Sequence, residues 1–297
     1  MMKGIGGILV VSTAALFLLA CEEELPLGNF DNAVRLSNNV NSIASDAGAD
    51  TSSDHKELYF HSDRTGGNGG FDIHVSVRAS SADAWGVATN LGTAINSASD
   101  DRGATISGDG LTLIFGSDRA GSMGLNDLYI SSRASVLDPW GSATNMGATL
   151  NTTGDESGPS ISDDGLTLFF HSDRPGGQGS TDIYSSTRAS TSDPWGAPSN
   201  LGSTVNSADF DNAPSISADG LTLYFHSTRA GGQGQHDTWK SERLSSSDPW
   251  GAPEAMPTPV NSSSIETGPS ITSDDLTLYF ASDRPGGDAR DIWQVTR

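Results

Sequence analysis

The chain has 297 residues and a formal net charge of −21, from 37 acidic and 16 basic side chains. That charge repels phosphate backbones and excludes generic nucleic-acid binding, and a hydrophobic content of 35% excludes a membrane bundle. A single cysteine excludes a disulfide framework and any multi-cysteine metal site, while 35 glycines with only three lysines suit turns and strands better than helices.

Residues 1–20 read as a segment outside the fold. Met1-Met2-Lys3 is a short basic start, and Ile5 to Phe17 is mostly apolar. The run is short for a membrane span and fits a secretory signal. Leu18-Leu19-Ala20-Cys21 resembles a bacterial lipoprotein signal. The resemblance implies removal of 1–20 and acylation of Cys21. Each buried methylene contributes ~0.8 kcal/mol, so several acyl chains make a stable anchor. Glu22, where an Asp would signal inner-membrane retention, implies the outer membrane. Residues 21–29 then form a lipidated tether. Its eight residues after the cysteine reach at most roughly 28 Å, which keeps the folded part near the membrane.

The rest is a repeat. Phe60, Phe115, Phe170, Phe225 and Phe280 stand 55 apart, as do Asn41, Asn96, Asn151, Asn206 and Asn261. Trp85, Trp140, Trp195 and Trp250 keep the same spacing. Copies start near 43, 98, 153, 208 and 263. Each holds four strand-like runs, which in copy three are Pro159–Ser162, Leu166–Ser172, Asp182–Thr187 and about Ala197–Gly202. The second run alternates, with Leu166, Leu168 and Phe170 on one side. Asp163-Asp164-Gly165 reads as a hairpin turn. Four short strands per repeat are the signature of a propeller blade.

The last copy stops at Arg297 after its third strand. Residues 30–42 supply the missing piece. Phe30 lies 55 before Trp85, Leu36 lies 55 before Leu91, and Val40 lies 55 before Ile95. The expected fold is therefore all-β: one five-bladed β-propeller over 30–297, its last blade closed by the N-terminal strand.

PSISDDGLTLFFHSDRPGG and its four relatives resemble the WD40-like propeller repeats of TolB-type proteins. The similarity covers about residues 30–297. It implies a propeller of the bacterial envelope, in a family of scaffolds, envelope components and a few enzyme-associated members. TolB propellers have six blades, against the five counted here. The peptidoglycan-binding module carried by some relatives is not visible in this sequence.

Residues present in every blade serve every blade. Ten of the thirteen arginines fall in two columns, Arg64/119/174/229/284 and Arg78/133/188/243/297, which read as structural forks on Asp or backbone carbonyls. The Asp72/127/182/237/291 column reads the same way. The tryptophans read as core and as arginine-stacking partners. A sharper expectation attaches to Asp46, Asp101, Glu156, Asp211 and Glu266. Each precedes the first strand of its blade, so five carboxylates are expected to ring one mouth of the channel. They suit Ca²⁺ or a cationic ligand, since hard cations take oxygen. The alternative is that each pairs with an arginine or caps a turn.

Asymmetry marks sites better than symmetry. His61, His171 and His226 share a column broken by Gly116 and Ala281, and read as packing or surface polarity. The loop residues Phe71, Met123, Leu125, Gln178, Gln233, Gln235, His236, Asp288 and Arg290 differ between blades, which suits a partner surface or neutral drift. Thr228 stands where other blades carry Asp63, Asp118, Asp173 and Asp283.

There is no HExxH motif and no Gly-x-Ser-x-Gly elbow, and the lipid role of Cys21 removes a catalytic cysteine. The leading expectation is thus a non-enzymatic envelope lipoprotein whose propeller face binds a protein or a glycan. One alternative is a carbohydrate-active enzyme with carboxylates drawn from Asp101, Glu156 and Glu266. Another is a Ca²⁺-stabilised structural surface protein.

Overall fold

The computed structural model describes Met1 and residues 30–297. Residues 2–29, on which the expected signal segment, the Cys21 lipidation site and the expected tether fall, lie outside the described residues. Five four-stranded antiparallel sheets stand around a central channel. Their inner strands neighbour one another in a closed ring, each blade touching the next and the fifth touching the first. Blade 3 shows the pattern: Glu156–Ile161, Thr167–Ser172, Asp182–Thr187 and Ser199–Asn200, from channel to rim. Blade 5 consists of Glu266–Ile271, Thr277–Ser282 and Asp291–Thr296, with Val34–Arg35 as its outer strand.

The inner strand begins three residues earlier than its sequence suggests. Its pairing shifts between Ser157 and Ser160, a bulge that Gly158 permits at φ +54°. Gly-Pro in that bulge hides the alternation by which a strand is recognised in sequence. Equivalent bulges place Gly48, Gly103, Ala213 and Gly268 at φ between +46° and +61°. A Cβ on Gly103 would come within 3.3 Å of the Gly158 Cα, so these backbones crowd the axis and narrow the channel.

Between blades, aromatic and aliphatic side chains form five similar clusters. Phe60, Phe115, Phe170, Phe225 and Phe280 are fully buried. The repeated asparagine acts as a strand edge: Asn96 Oδ1 accepts from Ile73 N at 2.8 Å and its Nδ2 donates to Ile73 O at 2.9 Å. Asn41 does the same for Ile292, 251 residues away. The second arginine column stacks on the tryptophans, with Arg78 over Trp85 at 4.0 Å and Arg133 over Trp140 at 4.4 Å. Arg297 stacks on Phe30 at 4.8 Å, so Phe30 fills the tryptophan's place in blade 5.

The Asp72 column ties down the loop between the second and third strands. Asp72 accepts from Asn68 N and from Asn90 Nδ2 at 3.0 Å. Blade 5 has Arg35 in the Asn90 position, and it forms an ion pair with Asp291 at 2.9 Å. Thr228 gives its loop a weaker hold. Its hydroxyl accepts from Phe210 N at 3.3 Å, where Asp63 accepts from Ser45 N at 2.7 Å.

Candidate functional site

The five expected carboxylates do not open onto the channel mouth. Asp46, Asp101, Glu156, Asp211 and Glu266 are all 0% exposed. Each pairs with the arginine of its own blade, as in Arg64–Asp46 at 2.5 Å, Arg174–Glu156 at 3.3 Å and Arg284–Glu266 at 3.0 Å. Each also accepts from the backbone N–H four residues earlier, such as Ser207 N to Asp211 at 2.6 Å. The arginine meanwhile donates to the previous blade's carbonyl, Arg229 to Val205 O at 2.6 Å. These acids hold blade to blade. Their oxygens are already engaged, so they do not fit Ca²⁺. Among the described residues, no group of three or more His, Cys, Asp or Glu is placed to hold a metal ion. The same burial removes Asp101, Glu156 and Glu266 as catalytic carboxylates.

Side chains alternate across a strand, so the residue after each acid points the other way. There the repeat diverges: Ala47, Arg102, Ser157, Asn212 and Thr267. Two further columns diverge beside it. One is His61, Gly116, His171, His226 and Ala281, near the end of the second strand. The other is Phe71, Asn126, Thr181, His236 and Arg290, just before the third. Members of all three line one cavity of about 290 Å³ at the channel mouth, together with Asp155. That is at the small end of small-molecule sites, roughly 300–1,000 Å³. The crowded bulges form its floor.

The three column histidines are built in. His61 Nδ1 accepts from Gly103 N at 3.1 Å, His171 Nδ1 from Ala213 N at 3.2 Å, and His226 Nδ1 from Gly268 N at 3.2 Å. An imidazole accepting at Nδ1 carries its proton on Nε2 when neutral. Burial keeps these rings neutral. His61 is pushed down to about 3 by burial and then by the charges of Arg102 and Arg290. His226 is held well below its ordinary value by burial, then by His236, His171 and Arg290. Burial also lowers His171, against the pull of Asp155 and Asp173. The mouth is therefore lined by neutral N–H donors at pH 7. Nε2 still bearing its proton is unsuited to binding a metal.

The remaining groups divide the mouth. Arg102 pairs with Asp100 and stacks on Phe71 at 4.1 Å, and Phe71 meets the His61 ring edge-on at 5.4 Å. Asn126 Nδ2 donates to Asp155 Oδ1 at 3.0 Å. His236 lies 5.6 Å from His226, ring to ring, and its Nδ1 has no partner among the described residues. Among the described residues, no carboxylate lies within ion-pair distance of Arg290. Deeper in the channel, Asp50 accepts from Ile106 N at 3.0 Å and Ser270 Oγ at 2.9 Å, and burial raises its carboxyl above the usual range.

The differing loop residues thus fall in two sets. Phe71, His236 and Arg290 sit at the mouth. Met123, Leu125, Gln178, Gln233, Gln235 and Asp288 are exposed on the surrounding loops. Sequence reasoning misses Arg102, Asn126 and Asp155. It also assigns the histidines to packing or surface polarity, whereas they line the cavity. The usable signal is the step from a constant column to a divergent one next to it.

No family model and no curated protein matches this chain. Solved structures do. TolB from Acinetobacter baumannii matches with a TM-score of 0.53 at 15% identity, over 87% of this chain and 56% of that one. The chain thus spans little more than half of that TolB. An α-L-arabinofuranosidase from Lactobacillus brevis matches at 0.56 and 13%, over 89% of this chain and 94% of that one. A GH62 hydrolase in complex with xylotriose matches at 0.55 and 11%, over 91% and 97%. At these identities the likeness is one of fold: a β-propeller similar both to TolB and to glycoside hydrolases. The expectation of a non-enzyme is corrected here, because several glycoside hydrolases and α-L-arabinofuranosidases stand beside TolB among the similar structures.

Proposed function

We propose that this chain is a carbohydrate-active propeller of the bacterial envelope, which takes a glycan in the mouth of its channel. One observation carries the reading. In a repeat that is otherwise nearly uniform, three adjacent columns diverge, and they surround one cavity whose lining includes four histidines, two arginines, Asn126 and Asp155. Imidazole N–H groups, Asn126 and Asp155 suit hydroxyl-rich ligands, which need both donors and acceptors. Phe71 supplies an apolar face at the rim. The fold shared with a hydrolase bound to xylotriose supports the same ligand class.

The reaction class that fits is glycosidic hydrolysis, with Asp155 as the mouth carboxylate for acid–base work. Asp100 is engaged by Arg102 and by Phe71 N, which donates to it at 2.9 Å, so Asp155 is the carboxylate that the cavity itself offers. The Leu-Leu-Ala-Cys string supports an envelope setting with attachment through Cys21.

Screening xylo-, arabino- and gluco-oligosaccharides for binding and for released sugar tests the reading. Hydrolysis is expected in the native protein and lost about 100-fold or more in Asp155→Asn, the usual order for a general acid or base. Binding without turnover by native protein would remove the reaction and keep the site. No binding to any glycan would remove both.

A second reading has its own observation. Met123 and Leu125, in the blade 2 loop, are 46% and 66% exposed on the mouth face. Two such side chains suit an envelope protein docking on that rim.

A further inference from the structure

Blade 5 is the odd member of the mouth. It has Ala281 where blades 1, 3 and 4 carry histidine, and it alone carries an arginine before its third strand. Ala281 is 1% exposed and is not part of the cavity lining, to which blade 5 contributes Thr267, Gly268 and Arg290 instead. Blade 5 stands between blades 4 and 1 in the ring. Arg290 therefore sits between His226 and His61, and its charge acts on both rings and on His236. It differs from Arg102, which already has Asp100.

A guanidinium without a carboxylate, flanked by neutral N–H donors, is an anion receptor. The chain's charge of −21 opposes an anion at long range. Salt screens that repulsion beyond about 8 Å under physiological conditions, whereas contact hydrogen bonds survive. Across the mouth, Asp155 and Asn126 offer the opposite character, an acceptor beside an amide. A ligand satisfying both sides carries an anionic group at one end and hydroxyls at the other.

We propose that the mouth takes an acidic sugar, a hexuronate residue, whose carboxylate is received by Arg290 with the Nε2–H groups of His61 and His226. Its hydroxyls meet Asp155 and Asn126. The proposal rests on the glycan reading above and narrows it. A plain neutral pentose or hexose leaves Arg290 buried against the ligand without a partner, which is costly.

The test is calorimetric titration of the full propeller with trigalacturonate, its methyl ester, xylotriose and acetate. The ester keeps the shape and removes the charge. Trigalacturonate is expected to bind at least tenfold tighter than its ester, with acetate far weaker than either. Arg290→Gln is expected to bring the ratio of acid to ester close to one. The Arg290 side chain forms no ion pair among the described residues, so this variant should melt like the native protein. His226→Asn provides a second check, since Asn Oδ1 can still accept from Gly268 N while the Nε2 donor is lost. It is expected to cut acid binding several-fold. Equal binding of acid and ester, or an acid preference that survives Arg290→Gln, overturns the acidic-sugar proposal and leaves the glycan reading intact. Acetate binding as tight as trigalacturonate overturns it too. Failure of every saccharide to bind sinks the glycan reading itself.

Discussion

Asp211→Ala is expected to cost about 3–5 kcal/mol, the usual penalty for leaving one member of a buried ion pair alone. The substitution strands the Arg229 guanidinium beside the core and removes the acceptor of Ser207 N and Ser207 Oγ. A domain's whole stability is typically about 5–15 kcal/mol, so the loss takes a large share of it. Asp211→Glu should be far milder. Blades 3 and 5 already use Glu156 and Glu266 in this position, with the same arginine and backbone partners. Urea melts of the two variants check the point. Equal midpoints would mean that the acid column does not join the blades.

Deleting residues 30–41 should have an effect at least as large, because it opens the ring. The segment contributes Leu36 and Val40 to the buried cluster that holds Phe60 and Ile292. Two such aliphatic side chains are worth about 1.5–3 kcal/mol each on burial. Asn41 adds hydrogen bonds to both backbone groups of Ile292, which would otherwise be buried without partners. Arg35 neutralises Asp291, and Phe30 covers Arg297. The truncated protein is expected to be insoluble or to melt far below the intact one, with the outer edge of blade 5 exposed to pairing with other chains. Truncation only to residue 29 should leave the melting temperature unchanged. A soluble and cooperative 42–297 fragment would contradict the closure described here.

Much of the fold is legible in the sequence because a repeat states each structural role five times. Phe30 aligns with the tryptophans by spacing alone, and the Arg297 stack shows why that alignment is physical. The arginine columns are also readable, since one residue type at one place in every blade means one task. The acid ring departs from expectation for a specific reason. Its position beside the mouth is right, but the side-chain direction is not. The alternation of the inner strand turns each acid towards its own arginine and presents the next residue to the channel. The bulge at Gly158 hides where that strand starts, and with it the phase of the alternation. Arg102 and Asp155 are therefore not legible from spacing. The histidines show no metal-ligand spacing, and only their Nδ1 bonds to the next blade reveal them as neutral donors.

The six histidines offer the most direct test that the channel mouth is the functional site. His61, His171, His226 and His236 line the cavity. His74 lies in the core against Phe60, and His55 bonds Ser273 in a turn away from the mouth. In a histidine-labelled sample, the imidazole NMR signals report all six during titration with trigalacturonate and xylotriose. Saturable shifts are expected in the cavity set, largest for His61 and His226, with His55 and His74 unmoved. Shifts confined to His55 or His74, or no shift at saturating sugar, would contradict a functional site at the channel mouth.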